Sequence, residues 1–591
     1  MPPYDTLMSR MARMTQGGWL ITGAAMIPAR RRWPQWLPPL LVILATFVVF
    51  LPALSNEFVD WDDEQMFLEN PYYRGFSLAH LRWMWTATHM GHYIPLTWMT
   101  LGLDYLLWGM DPTGYHLTNV LLHTANALLV YFIALRLLTL TLSTSRIEPW
   151  GLRIGAGCAA LLFGVHPLRV ESVAWATERR DVLCGVFYLL AVHLYLRYWE
   201  RRLARDRYER RWYAGSVACH AAALLSKSMA VTLPVLLLLL DVYPLRRLDP
   251  GAGGWFGRER RQVWAEKLPF AVLSAGAGIG ALIALGSFGS SRARSLTELG
   301  VGGRAAVSAY SLAFYLGKTV WPVDLGPLYE FPPRVSALAR PFLIAELFTL
   351  AACLVVILSR RQWPALAAVW AAYIAILLPV VGIIHNGPQL VADRYTYLSC
   401  LGWVVLAGAA VAAMWGTRGE WGGRLRRAST GALVASVVTT LGFLTWGQVQ
   451  VWRDSEALWT QALSASPSAQ AHNHLGVTFA LDGRRDEAVW QFMEALRMWP
   501  AFPEAHISLG AVLASEGRLP EAVAHYEIAL RINPRLAKAH NNMGEALAGQ
   551  GSPEVAIEHF RRALVIDPGF TEAQRNLDRV LRGQGLSSSS R

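Results

Sequence analysis

Charge is scarce in this 591-residue chain: 16% of residues are Asp, Glu, Lys or Arg, against 53% hydrophobic. An ordinary soluble domain carries roughly a quarter charged residues. The shortage excludes one large soluble domain, and the apolar content excludes a disordered chain. Cysteine is sparse too. The five cysteines, at 158, 184, 219, 353 and 400, lie in apolar runs, and none forms a CxxC spacing. That pattern argues against a disulfide framework and a thiolate metal site. A clean small-residue cleavage site is also missing after the first apolar run, which Pro flanks. This run reads as a retained helix, not a signal peptide. What remains is an integral membrane protein with something attached.

The charge that is present is unevenly placed. Residues 449–591 hold 14 basic and 16 acidic residues, a net of −2, so residues 1–448 carry +14 and the two sum to the chain's +12. A basic membrane half needs no nucleic acid to explain it, and none is expected as a partner. Lys and Arg gather in cytoplasmic loops.

A bilayer core about 30 Å thick needs roughly 20 apolar residues per helix. Spans are expected near 37–54, 116–140, 152–168, 181–199, 212–226, 229–245, 268–288, 340–358, 363–384, 397–415 and 429–448, about eleven in all. The segment 1–36, with Arg10, Arg13, Arg30, Arg31 and Arg32, is then cytoplasmic. So are 200–211, 246–267, Arg360–Arg361 and the Arg424, Arg426, Arg427 cluster, in accord with the positive-inside bias. The stretch 305–322 would invert that pattern if it crossed, so it reads as re-entrant or interfacial. The C-terminal part lies outside.

That part repeats every 34 residues. Gly476, Gly510 and Gly544 share one position, as do Ala488, Ala522 and Ala556, Ala495, Ala529 and Ala563, and Pro500, Pro534 and Pro568. Phe492, Tyr526 and Phe560 fill a large aromatic slot, expected to lie between repeats. The period and its small residues resemble tetratricopeptide repeats. Three repeats are expected over 469–582, preceded by a connecting helix in 449–468 and followed by a disordered tail, 583–591. Such a short curved array binds an extended peptide or another protein. His472, His506 and His540 recur too. They read as packed replacements for an aromatic, because stacked repeats sit about 10 Å apart, too far for one metal's ligand shell.

Polar groups in a membrane domain are costly, so they are the functional candidates. The first outer loop, NEFVDWDDEQMFLENPYY, places Asp60, Asp62, Asp63 and Glu64 within five residues. Such a cluster suits a divalent cation or a carboxylate base; a solvated acidic loop is the plainer reading. His89 and His92 follow, before an apolar segment with the length of an interfacial helix. His116, Asn119, His123 and Asn126 step by 3, 4 and 3 along one helical face, which fits either a substrate cavity or bonds to neighbouring helices. The next outer loop, HPLRVESVAWATERRD, holds His166, Arg169, Glu171, Glu178, Arg179, Arg180 and Asp181. Lys227 sits in LSKSMA, and Arg394 in ADRYTYLS beside Asp393 and Tyr395. Cations on the outer side run against the charge bias and suit a phosphate-bearing lipid.

Together FVDWDDEQMFLENP, YIPLTWMTLGLDY, GYHLTNVLLHTANA, HPLRVESVAWATERRDVL, SKSMAVTLPVLLLLLD and VADRYTYLSCLG resemble the membrane domain of GT-C superfamily glycosyltransferases. The branch most similar is the tetratricopeptide-bearing, O-mannosyltransferase-like one. The resemblance covers most of 37–448. It implies an all-α, GT-C-like helix bundle followed by an α-solenoid. It also implies transfer of a mannose-like hexose from a polyprenyl-phosphate carrier to a hydroxyl, chiefly protein Ser or Thr, on the non-cytoplasmic face. Asp62 and Asp63 match the family's catalytic acidic pair. Arg394, Arg179, Arg180, Lys227 and Arg169 are then candidates for the donor phosphate. His92, His116, Asn119, His123, His166, Glu171, Glu178, Asp393 and Tyr395 would line the cavity. Related monophosphate-carrier enzymes work without metal, so no cofactor is expected, although a divalent cation at Asp62 and Asp63 is the alternative.

The expected setting is a bacterial inner membrane, with the repeats in the periplasm. Three other readings compete: the same chemistry on a polysaccharide or lipid acceptor, a non-catalytic scaffold displaying repeats, and a transporter. The transporter is disfavoured by the absence of internal duplication in 37–448.

Overall fold

The computed structural model describes residues 34–142, 147–248, 255–257, 260–287, 296–332, 335–382, 389–416 and 423–584. The basic N-terminal segment before residue 34, the end of the 363–384 stretch and the tail after 584 lie outside them. The chain divides into two compact units. One comprises residues up to Leu325 with Phe331–Arg453, the other Gly326–Glu330 with Asp454–Arg591.

The first unit is helical at all eleven apolar stretches. Among the described residues, six helices are long and apolar enough to cross a bilayer, or eight if two bent pairs each count as one span. The bent pairs are Pro149–Gly164 with Pro167–Ala174, at 57°, and Asp393–Ser399 with Leu401–Trp415, at 56°. The expected spans at 212–226, 229–245 and 363–384 are the helices Glu209–Ser226, Ser228–Val242 and Pro364–Leu377. Two are too short to meet the same measure, and the first carries too much charge at its N-terminal end. The 305–322 stretch belongs to a longer helix, Leu296–Val320, kinked at Gly300. These apolar helices make an integral membrane protein.

Small residues set one close crossing. A side chain on Gly155 would come within 2.4 Å of the Gly408 carbonyl, and one on Gly408 equally close to the Gly155 carbonyl. The helices Pro149–Gly164 and Leu401–Gly416 therefore touch backbone to backbone. In lipid, where apolar surface gains nothing by leaving lipid, such close packing drives association.

The second unit begins with the helix Ser455–Ala465. Three helix pairs follow: Ala469–Leu481 with Arg485–Met498, Pro503–Ser515 with Leu519–Ile532, and Ala537–Gly549 with Pro553–Ile566. Thr571–Gly583 closes the array. Each first helix ends on a glycine in the left-handed region, Gly483, Gly517 and Gly551, with φ of 78°, 78° and 81°. The next amide then bonds back to Phe479, Leu513 or Leu547, which closes the last turn.

The aromatic slot differs from its expected place. Phe492, Tyr526 and Phe560 lie over the glycine of their own repeat, not between repeats. A Cβ on Gly476, Gly510 or Gly544 would fall 2.6, 2.6 or 2.7 Å from that ring. Overpacking of this kind costs about 1–3 kcal/mol. The variant G510A is therefore expected to lower the unfolding temperature of the repeats. Unchanged thermal unfolding would show that the Tyr526 ring moves aside freely.

Candidate active site

The acidic loop folds back onto the bundle through Asp63. Its carboxylate is 1% exposed. It accepts from the Val59 amide at 3.0 Å and from the Thr177 amide and hydroxyl at 3.2 and 2.5 Å. Burial pushes its pKa up to about 7, despite those donors, and the Asp62 charge adds to the rise. Asp62 beside it keeps 31% of its side chain exposed and stands 4.0 Å from the Arg180 guanidinium. The two neighbours thus have different environments: one carboxyl anchors the loop, and the other faces outward.

Arg180 leads to a buried hub. Glu178, with no exposed side-chain surface, holds three cations: Arg180 at 2.7 Å, Lys227 at 2.8 Å and Arg394 at 3.3 Å. Lys227 also bonds Asp181 at 2.7 Å, and Asp181 accepts from the Ser172 hydroxyl at 3.1 Å. Arg394 reaches Glu171 through both its guanidinium and its amide. Aromatic faces enclose the hub. Trp61 packs on Trp175 at 5.1 Å, and Trp175 stacks on Trp452 at 5.3 Å. The Arg394 guanidinium lies 5.6 Å from the Trp175 ring and 5.1 Å from Tyr395. His92 is exposed. The surrounding protein, and then the charges of Arg180 and Lys227, push its imidazole well below its usual pKa.

The raised Asp63 pKa fixes a sign. An unfolded aspartate titrates near 3.9, so between that value and about 7 the folded protein holds the extra proton. Stability is fullest at acid pH and falls as pH rises toward 7. Thermal unfolding of D63N is expected to lack this slope. Parallel pH profiles for D63N and wild type would refute the assignment.

Other candidates lie elsewhere. Arg179, adjacent to the hub in sequence, turns away from it. It is fully buried, bonded to Asp104 at 2.7 Å, to the Tyr115 carbonyl at 2.7 Å and to Asn119. Helix Arg179–Leu203 begins here, and successive residues point about 100° apart around its axis. Arg169 is 1% exposed and lies over Phe163 and Tyr397, at 5.2 and 5.7 Å. The polar stripe braces the bundle. Asn119 donates to the Val173 and Trp175 carbonyls. His123 bonds Tyr397 and the Gly164 carbonyl, and Asn126 bonds Tyr397 and the Val182 carbonyl. His116 is buried beside the Glu57 backbone. His166 accepts from the Leu168 amide and bonds the Thr319 carbonyl. Asp393 is buried and Tyr395 half-buried, its hydroxyl accepting from Gln389.

The structure adds residues that sequence reasoning passed over. Thr177 holds Asp63, and Trp452, far along the chain, completes the tryptophan stack. A second ion network also appears. Asp241 binds Arg247 at 3.0 Å and Lys267 at 2.6 Å, while Glu266 binds Arg247 at 2.5 Å and Arg202 at 3.0 Å. In sequence these cations had been absorbed into the positive-inside count.

An apolar cavity of about 150 Å³ lies along the helices that carry the hub. It is lined by Leu189, Val192, Leu236, Leu240, Leu401 and Val405 among others. Leu189 is eight residues beyond Asp181 on one helix, roughly 12 Å along its axis. Among the described residues, no group of three or more His, Cys, Asp or Glu is placed to hold a metal ion.

The fold and site define a class: a polytopic helical membrane protein with a buried charge cluster, joined to tetratricopeptide repeats. Tetratricopeptide family models match residues 450–505, 512–551 and 537–570. The curated homologues are protein O-mannosyl-transferases. Drosophila melanogaster Tmtc1 is 36% identical over 209 residues, 33% of this chain and 22% of that protein. Drosophila melanogaster Tmtc2 is 34% identical over 209 residues, 33% of this chain and 20% of that protein. Human TMTC1 is 25% identical over 527 residues, 81% of this chain and 57% of that protein. The resemblance to tetratricopeptide-bearing O-mannosyltransferases therefore holds. The chain spans between a fifth and three fifths of the length of these relatives. Among solved structures, MamA matches 22% of this chain and 77% of its own at 23% identity, with a TM-score of 0.21.

Proposed function

We propose that the protein is a membrane glycosyltransferase that moves a mannose-like hexose from a polyprenyl-phosphate carrier to a protein hydroxyl on the non-cytoplasmic face. One observation carries the reading. An outward-facing carboxylate, Asp62, adjoins a buried cluster of cations whose helices run on to an apolar cavity. The cavity suits the carrier's tail, and the cluster suits its phosphate.

In this reading Asp62 takes the proton of the attacking hydroxyl. The hydroxyl oxygen bonds the anomeric carbon as the carbon–oxygen bond to phosphate breaks on the opposite face, so the anomeric centre inverts. The electron pair leaves with the phosphate, where Arg180, Lys227 and Arg394 stabilise it. Those cations are held in place beforehand by Glu178, Glu171 and Asp181, so little reorganisation is needed. Asp63 positions the loop. No metal is required by this chemistry, because the phosphate is already a leaving group. The repeats recruit the acceptor.

The deciding measurement is transfer of labelled sugar from defined polyprenyl-phosphate donors by purified protein in lipid. Transfer to a Ser/Thr peptide supports the reading. Transfer only to saccharide or lipid acceptors would move the acceptor class, and no transfer from any such donor would favour a scaffold.

A further inference from the structure

Histidines in the second and third repeats form matched pairs across their two helices. The His506 Nδ1 lies 2.9 Å from the His525 Nδ1, and the His540 Nδ1 lies 3.0 Å from the His559 Nδ1. The outer nitrogen of each first histidine is fixed as well. His506 Nε2 is 3.1 Å from the Pro500 carbonyl, and His540 Nε2 is 3.1 Å from the Pro534 carbonyl. A carbonyl only accepts, so both Nε2 atoms carry the proton. The Nδ1 of His506 and of His540 is then a lone pair that accepts from the Nδ1–H of His525 and of His559, and loss of that shared proton turns both nitrogens of a pair toward one ion.

This is the tautomer and anchoring that metal-bound histidines show, with the remote N–H tied to a backbone carbonyl. The separation is informative too. Two nitrogens bound about 2.05 Å from one ion at a right angle lie about 2.9 Å apart, whereas a tetrahedral angle sets them about 3.3 Å apart. The pairs fit the right-angled case, which is the tetragonal geometry of Cu²⁺ and Ni²⁺. The second pair also opens on a groove of about 590 Å³ lined by His540, His559, Glu527, Arg531 and Arg562, with room for water ligands.

We propose that each pair is a two-histidine chelate for a tetragonal divalent transition-metal ion, water completing the ligand shell. The first repeat supplies an internal control, because Gln491 stands where the second histidine would be and bonds His472. Carboxylates near the pairs are already matched by cations: Glu521 by Arg518 at 2.7 Å, and Glu558 by Arg562 at 2.5 Å.

The test uses untagged full-length protein in detergent, titrated with Cu²⁺ and Ni²⁺ by calorimetry, with Cu²⁺ spectra recorded by electron paramagnetic resonance. Two equivalents are expected, with coupling to two imidazole nitrogens at each ion. H525Q, which recreates the His–Gln pair of the first repeat, should lose one equivalent. H525Q/H559Q should lose both while keeping the wild-type unfolding profile in chelator. Wild-type stoichiometry in the double variant, or no binding in the wild type, overturns the proposal.

Discussion

D62N protein is expected to transfer sugar at least about a hundredfold more slowly than wild type, the usual contribution of a positioned general base. The expectation rests on the different environments of two adjacent carboxyls. Asp63 is spent on Val59 and Thr177 and holds its proton until about pH 7. Asp62 alone keeps an exposed oxygen beside a cation. The measurement is single-turnover transfer at saturating donor, with donor affinity followed separately. Affinity should change little while the rate collapses. D63N should instead move stability and its pH dependence more than the chemical step. A D62N enzyme with the wild-type rate would remove Asp62 from the reaction, and with it the proposed mechanism.

The second large effect concerns Glu178. Its side chain has no exposed surface and meets Arg180, Lys227 and Arg394. Removing one partner of a buried ion pair costs about 3–5 kcal/mol, because the remaining charge loses its compensation. E178A leaves three cations to repel one another, so the loss should reach at least that range. Thermal unfolding and monodispersity in detergent report it. E178Q keeps the shape and some bonds, and should fall between. Adding K227Q to E178Q should recover part of the loss, since one surplus charge leaves with it. An E178A protein as stable as wild type would show that the three cations do not depend on this carboxylate.

Much of the fold was legible in the sequence. The 34-residue period fixed the positions of all three helix pairs, because each repeated residue answers a local steric demand. Gly510 must clear the Tyr526 ring, and Pro534 follows where its helix stops. Apolar runs located the membrane helices for an equally local reason. The site was only partly legible. Asp62 was named from its acidic loop and the family resemblance, and Arg180, Lys227 and Arg394 from charge placed against the topological bias. The hub that unites them was not, since Glu178 to Lys227 and Arg394 are contacts across long sequence separations. Arg179 and Arg180 were indistinguishable as letters. A single residue step, about 100° around the helix, sends the first to Asp104 and the second to Glu178. The His123 and Asn126 stripe was legible as a face, but only packing showed that Tyr397 occupies it.

Helix Arg179–Leu203 carries a buried ion network near each end. Glu178, Arg180 and Asp181 stand at one, and Arg202 with Glu266 at the other. The two lie roughly 30 Å apart along the axis, which is the thickness of the bilayer's hydrocarbon layer. A slide of one turn, about 5.4 Å, would drag one set of charges into oil. The helix is therefore a gauge with a fixed mark at either end. A host membrane thicker or thinner than that span would strain both marks at once.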